Sequence, residues 1–121
     1  MVSAHCPDIK AGVAWYGPLA HPATMPANDP NRPYPVDIAP HLRTPVLGLY
    51  GALDQGISAA NVQAMRDALA STGNASGSQI VVYPDAQHGF HADYRSSYNE
   101  LDARDGWGRM LAWFQSYGVA P

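Results

Sequence analysis

At 121 residues the chain has the length of one domain and enough of it to bury a core. A net charge of −3 offers no basic surface for nucleic acid, and 46% apolar residues with modest charge describe a soluble globular protein. No apolar run approaches the ~20 residues of a membrane-spanning helix and no signal peptide opens the chain. The single cysteine, Cys6, excludes an internal disulfide, so a cytoplasmic location is expected.

In chain order, Ala11 to Tyr16 reads as a buried strand with both faces covered, stopped by Gly17-Pro18. From Leu19 to Thr44 there is no helical period. Eight of the eleven prolines fall between Pro18 and Pro45 and forbid a long helix there. A loop of this length is either a functional lid or a surface wrap ordered by what it lies upon. Val46 to Tyr50, closed by Gly51, is a second buried strand, and Asp54 follows it on a short loop. Ser58 caps a helix running to about Thr72, with Val62, Met65 and Leu69 on one face and Gly73 as terminator. Asn74 to Ser78 turn the chain into a third strand, Gln79 to Tyr83. Strand, helix, strand at this spacing is a right-handed parallel unit.

Pro84 cannot donate to a ladder, so the third strand ends there and a loop carries His88 beyond its C-terminal end. A last helix is expected from about Ser97 to Tyr117, with Trp107, Met110, Leu111 and Phe114 as its apolar stripe. Gly106 and Gly108 each weaken that helix by ~1 kcal/mol relative to alanine, so the packing of Trp107 has to compensate. The expected fold class is α/β: a single domain over residues 1–121, with a small parallel sheet flanked by helices. Three near-continuous apolar strands leave an edge with unpaired backbone groups. That edge should be covered by a second copy of the chain, as a homo-oligomer and most simply a dimer, or by a separate polypeptide.

Reactive groups in open α/β sheets collect beyond the C-terminal ends of the strands. Asp54 sits past one such end and His88 past the next. A carboxylate that fixes the tautomer of an imidazole and stabilises its cation needs this placement on adjoining loops. The competing readings are a turn aspartate and a loop histidine with no task. The order acid then histidine also matches the α/β-hydrolase order of nucleophile, acid, histidine.

Two segments carry a family likeness: Pro-Val-Leu-Gly-Leu-Tyr-Gly-Ala-Leu-Asp, ending at Asp54, and Tyr-Pro-Asp-Ala-Gln-His-Gly-Phe, ending at Phe90. With Ala14-Trp15-Tyr16-Gly17, Arg95-Ser96-Ser97-Tyr98, Asp105-Gly106-Trp107 and Trp113-Phe114, they resemble the dienelactone hydrolase family, the carboxymethylenebutenolidase-like branch of the α/β-hydrolases. The resemblance implies cleavage of small esters or lactones by a Cys (sometimes Ser) nucleophile with His and Asp, and no metal or organic cofactor. It assigns Asp54 as the acid and His88 as the base. It also places the nucleophile in a G-x-C-x-G elbow ahead of the strand that Ala11 to Tyr16 resembles, and this chain carries no such segment. The expectation is therefore a C-terminal half bearing the Asp/His pair, inactive in isolation, with the nucleophile supplied by a separate N-terminal-half polypeptide. The alternative is a truncated, non-catalytic dimeric remnant with a structural or small-ligand-binding role.

Other residues were weighed for the missing roles. Cys6 precedes a strand, whereas an elbow nucleophile follows a strand's C-terminal end. Ser58, in Gly-Ile-Ser-Ala-Ala, superficially copies an elbow but lies where a helix N-cap is needed. His88 and His91 alone do not complete a metal site, and His5, His21 and His41 sit in solvent-facing coil. Some family members carry an arginine after the histidine that grips a substrate carboxylate. Arg95 is the nearest here, with a plain surface charge as its competing reading. Tyr16 is a candidate for substrate contact, and Trp15, Tyr16 and Tyr50 are equally readable as core.

Overall fold

The computed structural model describes Cys6, residues 8–20 and residues 33–119. Its centre is a parallel sheet in the order β1 (Gly12–Trp15), β2 (Val46–Gly51), β3 (Gln79–Tyr83). Gly12 pairs with Val46 and Trp15 with Leu49 on one side of β2, and Leu47 with Gln79 and Gly51 with Tyr83 on the other. A short helix α1 (Pro35–Ile38) and a 3-10 turn (Ala39–His41) lie between β1 and β2. Helix α2 (Ala59–Ala70) joins β2 to β3, and α3 (Glu100–Ser116) follows β3. The fold is α/β, as expected.

Alternation along β2 sorts the core into two layers. Val46 and Tyr50, with Ile80 and Val82 of β3, face Val62, Met65 and Leu69 of α2 together with Leu19 and Leu42. Leu47 and Leu49, with Val81 and Tyr83, face Phe90 and the Trp113 and Phe114 side chains of α3. β2 is buried after its first residue, which explains its unbroken apolar run. β1 is only half-buried at all four positions. The expectation that both its faces are covered is corrected: Val13 and Trp15 pack into the α3-side layer, whereas Gly12 and Ala14 face an open hollow; among the described residues β1 also pairs on one side alone.

Three further expectations change. The proline-rich stretch is not uniformly loop, because Pro35 occupies the first turn of α1, where no backbone N–H is missed. The Tyr34 N–H donates to Asp37 Oδ2 at 2.8 Å, and Ala39 and Leu42 behind it are buried. Residues 21–32, including His21, lie outside the described residues, as does His5; His41 is exposed. α2 begins after Ser58, whose Oγ accepts from the Asn61 N–H at 3.2 Å, and it ends at Ala70, ahead of the left-handed Gly73. α3 starts at Glu100 rather than Ser97, because the Asn99 side chain caps it by accepting from the Asp102 N–H.

The largest correction concerns the phase of α3. Its buried positions are Ala103, Gly106 and Trp113, whereas Trp107 is 49% exposed. A Cβ at Gly106 would stand 2.8 Å from the Trp15 indole and 3.5 Å from Leu49. The helix thus turns its small residues inward so that Trp15 of the edge strand can lie against its backbone. The helix-weakening glycine is compensated by Trp15, not Trp107.

Candidate active site

The rim at the C-terminal ends of β2 and β3 is assembled by backbone before side chains. Gly51 ends β2 where the Ala86 carbonyl lies so close that any Cβ would overlap it. That approach lets the Ala52 N–H donate to the Tyr83 carbonyl and the Leu53 N–H to the Ala86 carbonyl, both at 2.9 Å. The loop bearing Asp54 is therefore stitched to the loop bearing His88. Asp54 closes its own turn by accepting from the Gly56 and Ile57 N–H groups on Oδ1, at 2.8 and 3.0 Å.

The other oxygen, Asp54 Oδ2, meets His88 Nδ1 at 2.7 Å. The Asp54 side chain is 0% exposed and that of His88 47% exposed. An ionised carboxylate only accepts, so Nδ1 carries the proton and Nε2 keeps its lone pair. A buried acid with all its bonds directed, holding a half-exposed imidazole by one nitrogen, is the arrangement of a general base with its orienting group.

Four neighbours shape the surroundings. Phe90, fully buried, has Tyr16, Tyr83 and Trp15 around it with ring centroids at 5.4, 5.3 and 5.9 Å. Tyr16 presents its ring to His88 at 5.2 Å and 63°, and burial, then the neighbouring Tyr94, push its hydroxyl pKa up against the opposing Arg95 charge. Gly89 has φ +77, and the Arg95 guanidinium packs where its Cβ would be. Arg95 is exposed and carries no ion pair among the described residues. Sequence reasoning identified Asp54 and His88 from strand ends. It missed the Gly51 and Gly89 approaches, which only their positions after β2 and after the histidine hint at.

Other candidates sit elsewhere. Exposed Cys6 precedes β1, at the rim opposite the C-terminal ends of β2 and β3 in an all-parallel sheet. Ser58 is occupied as an N-cap. Tyr50 is core, its hydroxyl donating to the Gly17 carbonyl at 3.0 Å and its pKa raised first by burial and then by Asp54. His91 stacks on Trp15 at 4.2 Å and on Trp107 at 5.8 Å, and does not join His88. Among the described residues no three His, Cys, Asp or Glu side chains gather to hold a metal, and no helix is long and apolar enough to cross a membrane. An apolar cavity of about 180 Å³ opens on the α2 face of the sheet, lined by Gly12, Ala14, Gly17, Leu19, Gly48 and Met65 among others. It includes neither Asp54 nor His88.

A parallel sheet with an Asp–His pair on adjacent C-terminal loops defines part of an α/β-hydrolase fold. The dienelactone hydrolase family model matches residues 1–118. The chain belongs to that family. A protein of Methylorubrum extorquens named "Putative carboxymethylenebutenolidase" is 50% identical over 122 residues, which cover 99% of this chain and 39% of the relative. Its namesake in Escherichia coli O157:H7 is 52% identical over 118 residues, covering 98% of this chain and 41% of the relative. The crystal structure of a "Putative Dienelactone Hydrolase" from Klebsiella pneumoniae superposes with a TM-score of 0.83 at 50% identity, covering 95% of this chain and 45% of that one. A thermophilic esterase from Thermogutta terrifontis shares the fold at 17% identity, with a TM-score of 0.64. The chain spans about two fifths of the length of the curated relatives it matches.

Proposed function

We propose that this chain supplies the acid–base part of an ester- or lactone-hydrolysing site, Asp54 and His88, to a nucleophile carried outside these residues. The observation that carries this reading is the 2.7 Å contact between His88 Nδ1 and a wholly buried Asp54 carboxylate. Among the described residues Asp54 is the hydrogen-bond partner of the imidazole, and no thiol or hydroxyl bonds to Nε2. His88 Nε2 takes the proton of the incoming nucleophile as it attacks the ester carbonyl, and Asp54 stabilises the resulting imidazolium. The tetrahedral intermediate collapses, and His88 returns that proton to the departing alkoxide oxygen. A water molecule, deprotonated by the same nitrogen, then attacks the acyl-enzyme and releases the acid and the nucleophile.

Tyr16, against the imidazole ring, and Arg95, packed on Gly89 next to it in the chain, are the substrate contacts of this reading. The unpaired Arg95 guanidinium suits an anionic group on the ester or lactone. The nucleophile-bearing segment adds a strand to the open edge of β1 and covers the apolar hollow beside it, where Gly12 and Ala14 present no bulk. Relatives more than twice as long as this chain support a complement of that size.

The test is a chimaera in which this chain replaces the matching 45% of the Klebsiella protein. It is expected to hydrolyse p-nitrophenyl acetate, with His88→Ala lowering kcat by up to ~10⁶, whereas the chain alone turns over no faster than its own His88→Ala variant. Activity in the chimaera that survives His88→Ala would sink the proposal. Light scattering on the isolated chain distinguishes a monomer with a free edge from a dimer in which a second copy covers it.

A further inference from the structure

We infer that Tyr16 is a positioning residue for His88: a strained backbone just past β1 swings its ring against the imidazole and keeps Nδ1 on Asp54 with Nε2 outward. The inference rests on the acid–base reading above. His88 is half-exposed and held by one hydrogen bond. Rotation about the Cβ–Cγ bond moves Nδ1, so the bond to Asp54 restrains the ring, but through one contact alone. Tyr16 adds a second at 5.2 Å and 63°, the edge-on arrangement that aromatic pairs prefer.

The backbone of Tyr16 shows that this placement is imposed. In a regular strand successive side chains point to opposite faces, so Tyr16 would leave on the α2 side with Gly12 and Ala14. Instead Tyr16 joins Trp15 in the α3-side cluster. It does so at φ +39, in the left-handed region that a bulky L residue rarely occupies. The turn is pinned from both sides. The Tyr16 N–H donates to the Leu49 carbonyl at 2.9 Å, and the Gly17 carbonyl accepts the buried Tyr50 hydroxyl at 3.0 Å. The left-handed turn is what brings the residue that follows β1 against the imidazole.

The test reads the imidazole itself. In the ¹⁵N-histidine-labelled chain, long-range ¹H–¹⁵N spectra are expected to show His88 as the Nδ1–H tautomer, the minor form of free histidine. Tyr16→Leu, which keeps apolar bulk over Phe90 but no ring, is expected to lower the ratio of that tautomer to its alternative by a factor of about 2 to 12. Tyr16→Phe restores the wild-type spectrum. A folded Tyr16→Leu chain with an unchanged His88 signature overturns the inference, and so does a Tyr16→Phe chain that shifts as far as Tyr16→Leu. A free-histidine mixture in the wild type instead overturns the Asp54–His88 reading beneath it. Should Tyr16→Leu fail to fold, nuclear Overhauser contacts between the Tyr16 ring and the His88 Cε1 or Cδ2 protons of the wild type decide, and their absence counts against the inference.

Discussion

The rim of β2 and β3 and the edge strand β1 are built on opposite principles. At the rim, two main-chain bonds tie the Asp54 loop to the end of β3 and the loop that follows it. Gly51 is small because another backbone occupies its side-chain space. Along β1 nothing is so constrained: it is half-buried, open on one side, flanked by an apolar hollow, and ends in a strained tyrosine. The Asp54–His88 pair sits where the chain closes on itself, and the open edge of β1 lies where it does not.

The sharpest way to test this contrast is truncation of one apolar side chain in each region. Leu49→Ala, at a fully buried position of β2, is expected to cost about 2–5 kcal/mol in urea unfolding. Val13→Ala, on the half-buried edge strand, should cost only about 1 kcal/mol. Equal losses would mean that β1 is as enclosed as β2 and that the contrast is false.

A smaller effect is expected from adding a methyl group on each side. Gly51→Ala drives a Cβ into the Ala86 main chain, which cannot yield without breaking the stitch between the two loops, so it should destabilise by about 1–3 kcal/mol. Gly106→Ala meets the far end of the Trp15 ring instead, a half-buried side chain on an edge strand rather than main chain. Its overpacking is offset by about 1 kcal/mol of gained helix propensity, leaving a net change within about 1 kcal/mol of zero. A Gly106→Ala loss as large as that of Gly51→Ala would show β1 to be clamped rather than free.

The smallest effect concerns the anchor that holds α3 to the end of β3. The Tyr83 hydroxyl donates to Asp105 Oδ2 at 2.6 Å, and Arg109 Nε reaches the same oxygen at 2.6 Å. The Tyr83 bond, then that from Arg109, holds the Asp105 carboxyl below its ordinary value, while burial first and this bond second raise the tyrosine. A depressed folded-state carboxylate contributes stability above its unfolded pKa of about 4 and loses it as pH falls through the lower folded value. Tyr83→Phe should therefore unfold at lower urea than wild type near about pH 7, with the gap narrowing below about pH 4. A gap independent of pH would show that the hydroxyl acts through packing alone. Because Asp105 is half-exposed, solvent screening keeps the effect small.

Strand and helix existence was legible where local chemistry is strong. The apolar run of β2 was readable because a central strand buries both faces, and that of β3 because alternate residues pack into the two core layers. Ser58 and Gly73 bracketed α2 because capping and left-handed termination are local demands. The phase of α3 was misread, since hydrophobicity favours Trp107 as the buried residue, whereas Gly106 is turned inward by the indole of Trp15, which is 91 positions away in the chain. α1 was missed because four residues beginning at Pro35 leave no period to detect. In the candidate site, Asp54 and His88 were identifiable from their place after strands. Nothing local, however, reveals that Tyr16 leaves β1 on the same side as Trp15 or that Arg95 folds back onto Gly89.

By itself, the sequence determined the parallel α/β class, the chain order of acid and histidine, and the family, because periodicity, caps and turn residues act over a few positions. The tertiary structure alone decided which face of α3 is buried, that β2 is the central strand, and that one carboxylate oxygen comes within 2.7 Å of one imidazole nitrogen. Those outcomes depend on close approaches between distant segments, and such approaches are energies of packing that no single stretch of chain contains.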